Sequence, residues 1–372
     1  MKHISVMIKP ASALCNLRCQ YCFYADVTSL REVSAYGIMK EETAQAVIEN
    51  IFCDLDEGGS LLVAFQGGEP TLAGLPFFQR FAELVKAQPK KVQVSYALQT
   101  NGWLLDESWC AFLRENHFLV GLSLDGYPEV HNQYRLDPQG KGTYGKVLQA
   151  KQLMDKHRVE YNILCTLTNK LARHPQKVWN VVLKENIRYI QFTPCLGKLE
   201  GEPDEWTLTP KRFYSFYAAL FPLWKQEVQK GNYISVKLFD DIVNLAVRRQ
   251  VTACGMHGRC QSQHIVEADG SVYPCDFYVL DGYRGGSLAD QPLHSIDETL
   301  QTVGFLDSRK QLGEPCYRCK YLQFCGGGCK RMERVMYLDD SGFCGYQKLL
   351  DEIGQELCDI GSRLIRSSSQ LG

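Results

Sequence analysis

Three cysteines crowd one short stretch near the N-terminus, Cys15-x3-Cys19-x2-Cys22. Three thiolates on one loop with no nearby histidine make a poor closed zinc site, which needs four ligands. They suit iron and sulfide better, because thiolates at short spacings hold iron–sulfur clusters. On a four-iron cluster, three thiolates leave one iron open to another ligand. A second group holds eight cysteines: Cys254, Cys260 and Cys275, then Cys316-x2-Cys319-x5-Cys325-x3-Cys329, then Cys344. Eight is two complete sets of four. That fits two fully ligated clusters, and by arithmetic alone it also fits two four-cysteine zinc sites. The other five of the 16 cysteines, Cys53, Cys110, Cys165, Cys195 and Cys358, fall in apolar-periodic segments. There a small buried thiol is the expectation.

Reactive groups need elements to hold them. Strand-like runs occur at Ser5–Ile8, Leu61–Phe65, Val92–Leu98, Phe118–Ser123, Tyr161–Thr166 and Tyr189–Phe192. Between them lie helical stretches at Lys40–Phe52, Pro76–Ala87, Asp106–Glu115, Tyr144–Lys156 and His174–Glu185. Strands separated by helices of this length predict repeated βα units and a parallel sheet. Six units fit a partial or open barrel better than a closed one of eight. In such architectures chemistry gathers at the C-terminal ends of the strands. The first cysteine group follows strand one, Gly67-Gly68-Glu69-Pro70 strand two, Thr100-Asn101-Gly102 strand three, and Ser123-Leu124-Asp125-Gly126 strand four. From Thr209 to Arg249 the chain reads as helical, with Phe213, Phe216, Tyr217, Leu220 and Trp224 recurring at core spacing and Pro222 expected to kink or split it. Beyond Cys254 the composition turns Gly- and Cys-rich, with a hairpin expected at Asp269-Gly270 and a last helix over Leu349–Leu364.

Composition excludes several function classes. Lys+Arg 41 against Asp+Glu 42 leaves a net charge of -1, so no basic field invites nucleic acid or anionic lipid. No run of 18 or more apolar residues exists, which predicts no membrane span. Met1–Pro10 alternates like a strand and does not read as a signal peptide. With clustered cysteines in place of a disulfide framework, the expectation is a cytoplasmic protein.

The triplet Cys15-x3-Cys19-x2-Cys22, with Tyr21 before the third cysteine, resembles the signature of radical S-adenosylmethionine enzymes. Gly67-Gly68-Glu69-Pro70 resembles that family's second motif. The resemblance implies that Cys15, Cys19 and Cys22 hold the cluster that cleaves S-adenosylmethionine, which Tyr21, Gly68 and Glu69, Ser123, Arg135 and Leu196 would contact. The later cysteines, with Gly270 ahead of Cys275, resemble the SPASM extension. That likeness implies two auxiliary clusters: Cys254, Cys260, Cys275 and Cys329 for one, Cys316, Cys319, Cys325 and Cys344 for the other. The expected architecture is therefore α/β, a partial (β/α)6 barrel over 1–230. A connecting segment over 231–253, a Cys-rich module over 254–345 and a helix over 346–372 would follow.

Longer stretches are similar to anaerobic sulfatase-maturating enzymes. They include Ile8-Lys9-Pro10-Ala11-Ser12, Cys22-Phe23-Tyr24, Phe65-Gln66-Gly67-Gly68-Glu69-Pro70, Asp269 to Tyr278, and Cys325-Gly326-Gly327-Gly328-Cys329. The resemblance implies oxidation of a sulfatase Cys or Ser to Cα-formylglycine, with S-adenosylmethionine and three 4Fe-4S clusters. The partners it implies are a sulfatase polypeptide and a flavodoxin- or ferredoxin-type electron donor. A base must sit within hydrogen-bond reach of the target heteroatom. Asp276, directly after Cys275, is the expected proton acceptor, with Tyr24 as its orienter. Two other readings stand beside this one: a SPASM maturase of another ribosomal peptide, such as one forming thioether crosslinks, and a non-enzymatic zinc scaffold.

Overall fold

The computed structural model describes residues 1–306 and 311–369. Parts of the expected 254–345 and 346–372 segments, at 307–310 and 370–372, lie outside the described residues. In chain order the strands are β1 (His3–Ile8), β2 (Ser60–Phe65), β3 (Gln93–Thr100), β4 (Leu119–Ser123), β5 (Glu160–Leu167), β6 (Tyr189–Pro194), β7 (Ser235–Val236), β8 (Ile265–Val266), β9 (Ser271–Tyr273) and β10 (Gly286–Ser287). Helices α1 (Phe23–Ser29), α2 (Glu41–Asp54), α3 (Leu75–Lys86), α4 (Glu107–Glu115), α5 (Pro128–Tyr134), α6 (Tyr144–His157) and α7 (Pro175–Lys184) fall between the first six strands. Then come α8 (Pro210–Gln229), α9 (Lys237–Val243) and α10 (Leu293–Thr302). Three single-turn helices, α11 (Glu314–Tyr317), α12 (Leu322–Cys325) and α13 (Glu333–Met336), precede α14 (Gly345–Ser369). The expected α/β class and its six βα repeats are present.

The described chain forms two compact units. The first comprises 1–123, 132–161 and 261–306; the second comprises 124–131, 162–260 and 311–369. In the first, β1, β2, β3 and β4 run parallel, in register Ile8↔Phe65 and Phe65↔Leu98. Period-two alternation explains these strands: Ile4, Val6 and Ile8 are buried while the residues between them are not. On the other side of β1 the hairpin β8–β9 adds a parallel neighbour, Ile8↔Val266, and β10 closes the edge antiparallel. Residues 261–306 therefore pack with the N-terminal strands, although the motif-based division placed them in a separate module.

In the second unit β5, β6 and β7 run parallel. The α8 helix starts with Thr209 as its cap, the hydroxyl accepting from the Arg212 amide, and Pro210 in its first turn. Pro222 does not split it; the helix runs unbroken to Gln229. One lost backbone bond is offset here by burial of Phe213, Phe216, Tyr217, Leu220 and Trp224, each worth about 1.5–3 kcal/mol when fully removed from water. These aromatics are core, as their spacing predicts. The helix expected through Arg249 instead breaks after Gln229, resumes as α9 and runs on through a π-helical turn, Asn244–Arg248, to the expected end.

Candidate active site

The three-cysteine loop leaves the C-terminal end of β1 and ends where Cys22 precedes the first turn of α1. Two backbone bonds fasten it to the end of α5 and the chain just beyond: the Arg18 amide donates to the Leu136 carbonyl at 2.7 Å and the Gln20 amide to the Tyr134 carbonyl at 3.0 Å. Its thiols are half-buried. Burial pushes the Cys15 and Cys22 thiols above their ordinary range, and the positive Arg135 pulls both back toward the thiolate. Ligand thiols must be deprotonated, so this cation favours loading. The Arg135 guanidinium lies 5.7 Å over the Tyr21 ring, which in turn is 6.0 Å from the ring of Tyr134.

The Gly67-Gly68-Glu69-Pro70 loop lies directly against the cysteine loop. The Gly68 amide donates to Ser12 at 2.9 Å and the Glu69 amide to Leu14 at 2.8 Å. A Cβ on residue 68 would sit 2.2 Å from the Leu14 carbonyl oxygen, so only glycine permits this approach. The Glu69 side chain is spent inside the protein. Its carboxylate accepts from the Thr71 amide and hydroxyl, the Thr100 hydroxyl (2.7 Å) and the Asn101 amide (2.7 Å). Burial raises its pKa while these donors lower it. Glu69 thus ties the loop after β3 to the loop after β2, and any contact it makes to a ligand falls to its backbone. Asn101 extends the tie, donating to Asn16 at 2.8 Å. Ser123 ends β4, half-buried. Leu196 is buried in the second unit.

Asp276 opens a short 3-10 turn, with Cys275 as its cap. The turn lies against α1, where the Phe23 and Phe277 rings are 5.1 Å apart. Two side chains hold its carboxylate. Gln66 donates to Oδ2 at 2.9 Å, and the Lys9 ammonium lies 2.8 Å from Oδ1. Lys9 is fully buried, and its Nζ sits 4.0 Å over the Tyr24 ring. The Tyr24 hydroxyl reaches no partner; Lys9 and Gln66 are the side chains that contact the Asp276 carboxylate, and Tyr24 offers its ring face to Lys9. Lys9 and Asp276 form an ion pair, and beyond it Nζ, Oδ1 and the Tyr24 hydroxyl make no hydrogen bond within the protein. Buried polar atoms are rarely left so, and their clustering fits a site completed by a bound group. Lys9 and Gln66 belong to the stretches Ile8–Ser12 and Phe65–Pro70, which sequence reasoning singled out without giving either residue a role.

Of the later cysteines, Cys316, Cys319, Cys325 and Cys344 line a single recess together with Tyr321, Leu322, Tyr337 and Leu338. Burial raises the Cys325 thiol and pushes Cys344 up to about 11, each with the neighbouring thiols adding to the shift. Four thiols and an apolar lining are a donor set suited to an iron–sulfur cluster. Among the described residues, no group of three or more His, Cys, Asp or Glu could hold a single metal ion as placed. In the same unit, Cys260 feels the charge of Cys329. Cys254 is exposed in that unit, while Cys275 belongs to the first. Among the five scattered cysteines, Cys110, Cys165 and Cys195 are buried as expected. Cys53 is exposed at the solvent side of α2, and Cys358 is half-buried on α14.

With that geometry in hand, likeness to known proteins is informative. Residues 10–170 match the Radical SAM superfamily, and residues 254–320 match SPASM, an iron-sulfur cluster-binding domain. Fold and cysteine groups together define a radical S-adenosylmethionine enzyme with an iron–sulfur extension. A cysteine-type anaerobic sulfatase-maturating enzyme of Clostridium perfringens (strain 13 / Type A) is 42% identical over 334 residues, 89% of this chain and 90% of that one. A serine-type enzyme of Bacteroides thetaiotaomicron is 29% identical over 347 residues, covering 89% and 83%. The structure of native anSMEcpe with bound AdoMet and Cp18Cys peptide superposes with a TM-score of 0.88 at 38% identity, covering 97% of this chain and 99% of that one. This chain belongs to the anaerobic sulfatase-maturating enzymes.

Proposed function

We propose that this protein oxidises a cysteine of a sulfatase polypeptide to Cα-formylglycine by radical S-adenosylmethionine chemistry, with three 4Fe-4S clusters. The observation that carries the reading is Asp276: a carboxylate gripped by Lys9 and Gln66, in the same compact unit as the cysteine loop of a radical S-adenosylmethionine enzyme. Greater identity to a cysteine-type than to a serine-type relative, 42% against 29%, favours cysteine as the target.

In this proposal Cys15, Cys19 and Cys22 hold the reactive cluster. Cys254, Cys260, Cys275 and Cys329 hold one auxiliary cluster, and Cys316, Cys319, Cys325 and Cys344 the other. S-adenosylmethionine would supply a 5′-deoxyadenosyl radical able to take a hydrogen atom from the target Cβ, and an oxidised iron–sulfur cluster would supply the acceptor for the electron left on that carbon. Asp276 takes the thiol proton. The resulting thioaldehyde adds water and loses hydrogen sulfide, which leaves the aldehyde. Arg135 supplies positive charge beside the cysteine loop; Tyr21, the Gly68–Glu69 backbone and Ser123 line that side, and Leu196 serves the adenine. The partial barrel over 1–230, the connection over 231–253, the cluster module over 254–345 and the closing helix over 346–372 form the proposed division.

No helix of the described chain is long and apolar enough to cross a membrane. A cytoplasmic setting suits so many thiols, and a flavodoxin- or ferredoxin-type protein is the proposed electron donor. The test is to reconstitute the protein anaerobically with iron and sulfide, then offer S-adenosylmethionine, reductant and paired sulfatase peptides carrying Cys or Ser. Formylglycine made from the Cys peptide supports the reading. A crosslinked or unmodified Cys peptide, with 5′-deoxyadenosine still formed, contradicts it.

A further inference from the structure

The segment Lys9-Pro10-Ala11-Ser12 lies between β1 and the first cysteine, and its Lys9 already touches the Asp276 carboxylate. Both of its polar side chains point to one partner, the hairpin that leads to Cys275 and Asp276. The Ser12 hydroxyl donates to Glu267 Oε2 at 2.7 Å, in the turn between β8 and β9. Arg31, also fully buried, binds the other oxygen of Glu267 at 2.7 Å. Removing one partner of such a buried pair leaves an uncompensated charge, so the near end of the hairpin is firmly fixed. At the far end the Lys9 ammonium lies against Asp276, while the Lys9 amide donates to the Val266 carbonyl at 2.8 Å. The same short segment therefore holds both ends of the hairpin, a few residues ahead of the cysteine loop.

From this arrangement we propose that Lys9 is a positioning residue for Asp276: it fixes the carboxylate that receives the substrate proton at a set place relative to the cysteine loop. Three features argue against a purely structural lysine. It is fully buried, its ammonium faces a carboxylate on only one side, and the surrounding polar atoms keep hydrogen-bonding capacity. A buried ammonium is tolerated where it is paired, and the partner that pairs Lys9 is the Asp276 carboxylate itself. Gln66 holds Oδ2 and Lys9 constrains Oδ1, so the carboxylate cannot swing away while it waits for the proton. Without Lys9 the carboxylate keeps one hold and gains freedom to rotate.

The inference rests on the maturase reading, and its test separates the two. Reconstituted Lys9→Met and unsubstituted protein are given S-adenosylmethionine, reductant and a sulfatase-derived Cys peptide, and formylglycine is counted per 5′-deoxyadenosine. The ratio is taken only over molecules that cleave S-adenosylmethionine, so loss of folded protein does not move it. Lys9→Gln serves if the apolar variant fails to take up iron. The expected result is a ratio lower by about 10- to 100-fold, the scale of a misplaced catalytic group, with unchanged half-saturation by peptide. An unchanged ratio overturns the proposal. So does a raised half-saturation at a normal ratio, which would make Lys9 a peptide-binding residue. Aldehyde formation by the unsubstituted protein in the same assay reports on the maturase reading by itself.

Discussion

A carboxylate that takes a proton from substrate must be held still while keeping one lone pair free. Asp276 meets both conditions through Gln66 on one oxygen and Lys9 beside the other. Asp276→Asn keeps the shape and removes the proposed base. The variant should load iron and form 5′-deoxyadenosine as before, while formylglycine falls about 10²-fold or more, the usual contribution of a positioned base. Normal aldehyde yield by mass spectrometry would remove Asp276 from the reaction. At this scale the sequence was legible where chemistry is carried by residue type. The cysteines stand out by spacing, and Asp276, the proposed base, by its place next to one of them. Lys9 was not legible, because a lone lysine after a strand looks solvated until a carboxylate from far along the chain is folded onto it. Glu69 was legible only in part: its motif implies a backbone contact to a ligand, while the four donors that converge on its carboxylate come from residues no local pattern links to it.

At the scale of elements, the loop after β2 and the cysteine loop are packed backbone on backbone. Gly68→Ala puts a methyl group onto the Leu14 carbonyl. Overpacking of this kind costs about 1–3 kcal/mol, and the displaced loop should also slow 5′-deoxyadenosine formation. A melting curve together with chromatography of the product checks both. A second contact makes the edge beside β1 sensitive to pH. His264 lies 2.7 Å from Asp297 and 3.1 Å from the Ser5 carbonyl. Burial opposes its charge, but the hydrogen bond and charge of Asp297 and the bond to Ser5 outweigh burial and raise its pKa above 6.5. The stabilisation is therefore complete below about pH 6.5 and is lost as pH rises through the higher folded value. Melting temperatures of the native protein and Asp297→Asn should differ most in mild acid and converge in alkali; a gap that widens with pH would contradict the assignment. The long elements followed their periodicity to within about two residues at most ends, because strand alternation is enforced by a buried face. The short α1 and α5 and the single-turn helices carry too few residues to show a period. The α8 helix survives Pro222 because its aromatic face is so thoroughly buried.

For the whole molecule, the division by motif and the division by packing cut the chain differently. Residues 261–306 belong by sequence to the cysteine-rich module, yet their hairpin extends the sheet at β1 and brings Asp276 into the first unit. No local pattern announces this, since β8 has only two residues and its parallel pairing with β1 is set by tertiary contact. As a result Asp276 and the three-cysteine loop share one compact unit. The most direct test uses a sulfatase-derived peptide with deuterium on the target cysteine Cβ. After anaerobic reconstitution and turnover, deuterium is expected in 5′-deoxyadenosine and formylglycine in the peptide. Deuterium-free 5′-deoxyadenosine beside an unchanged peptide would contradict it.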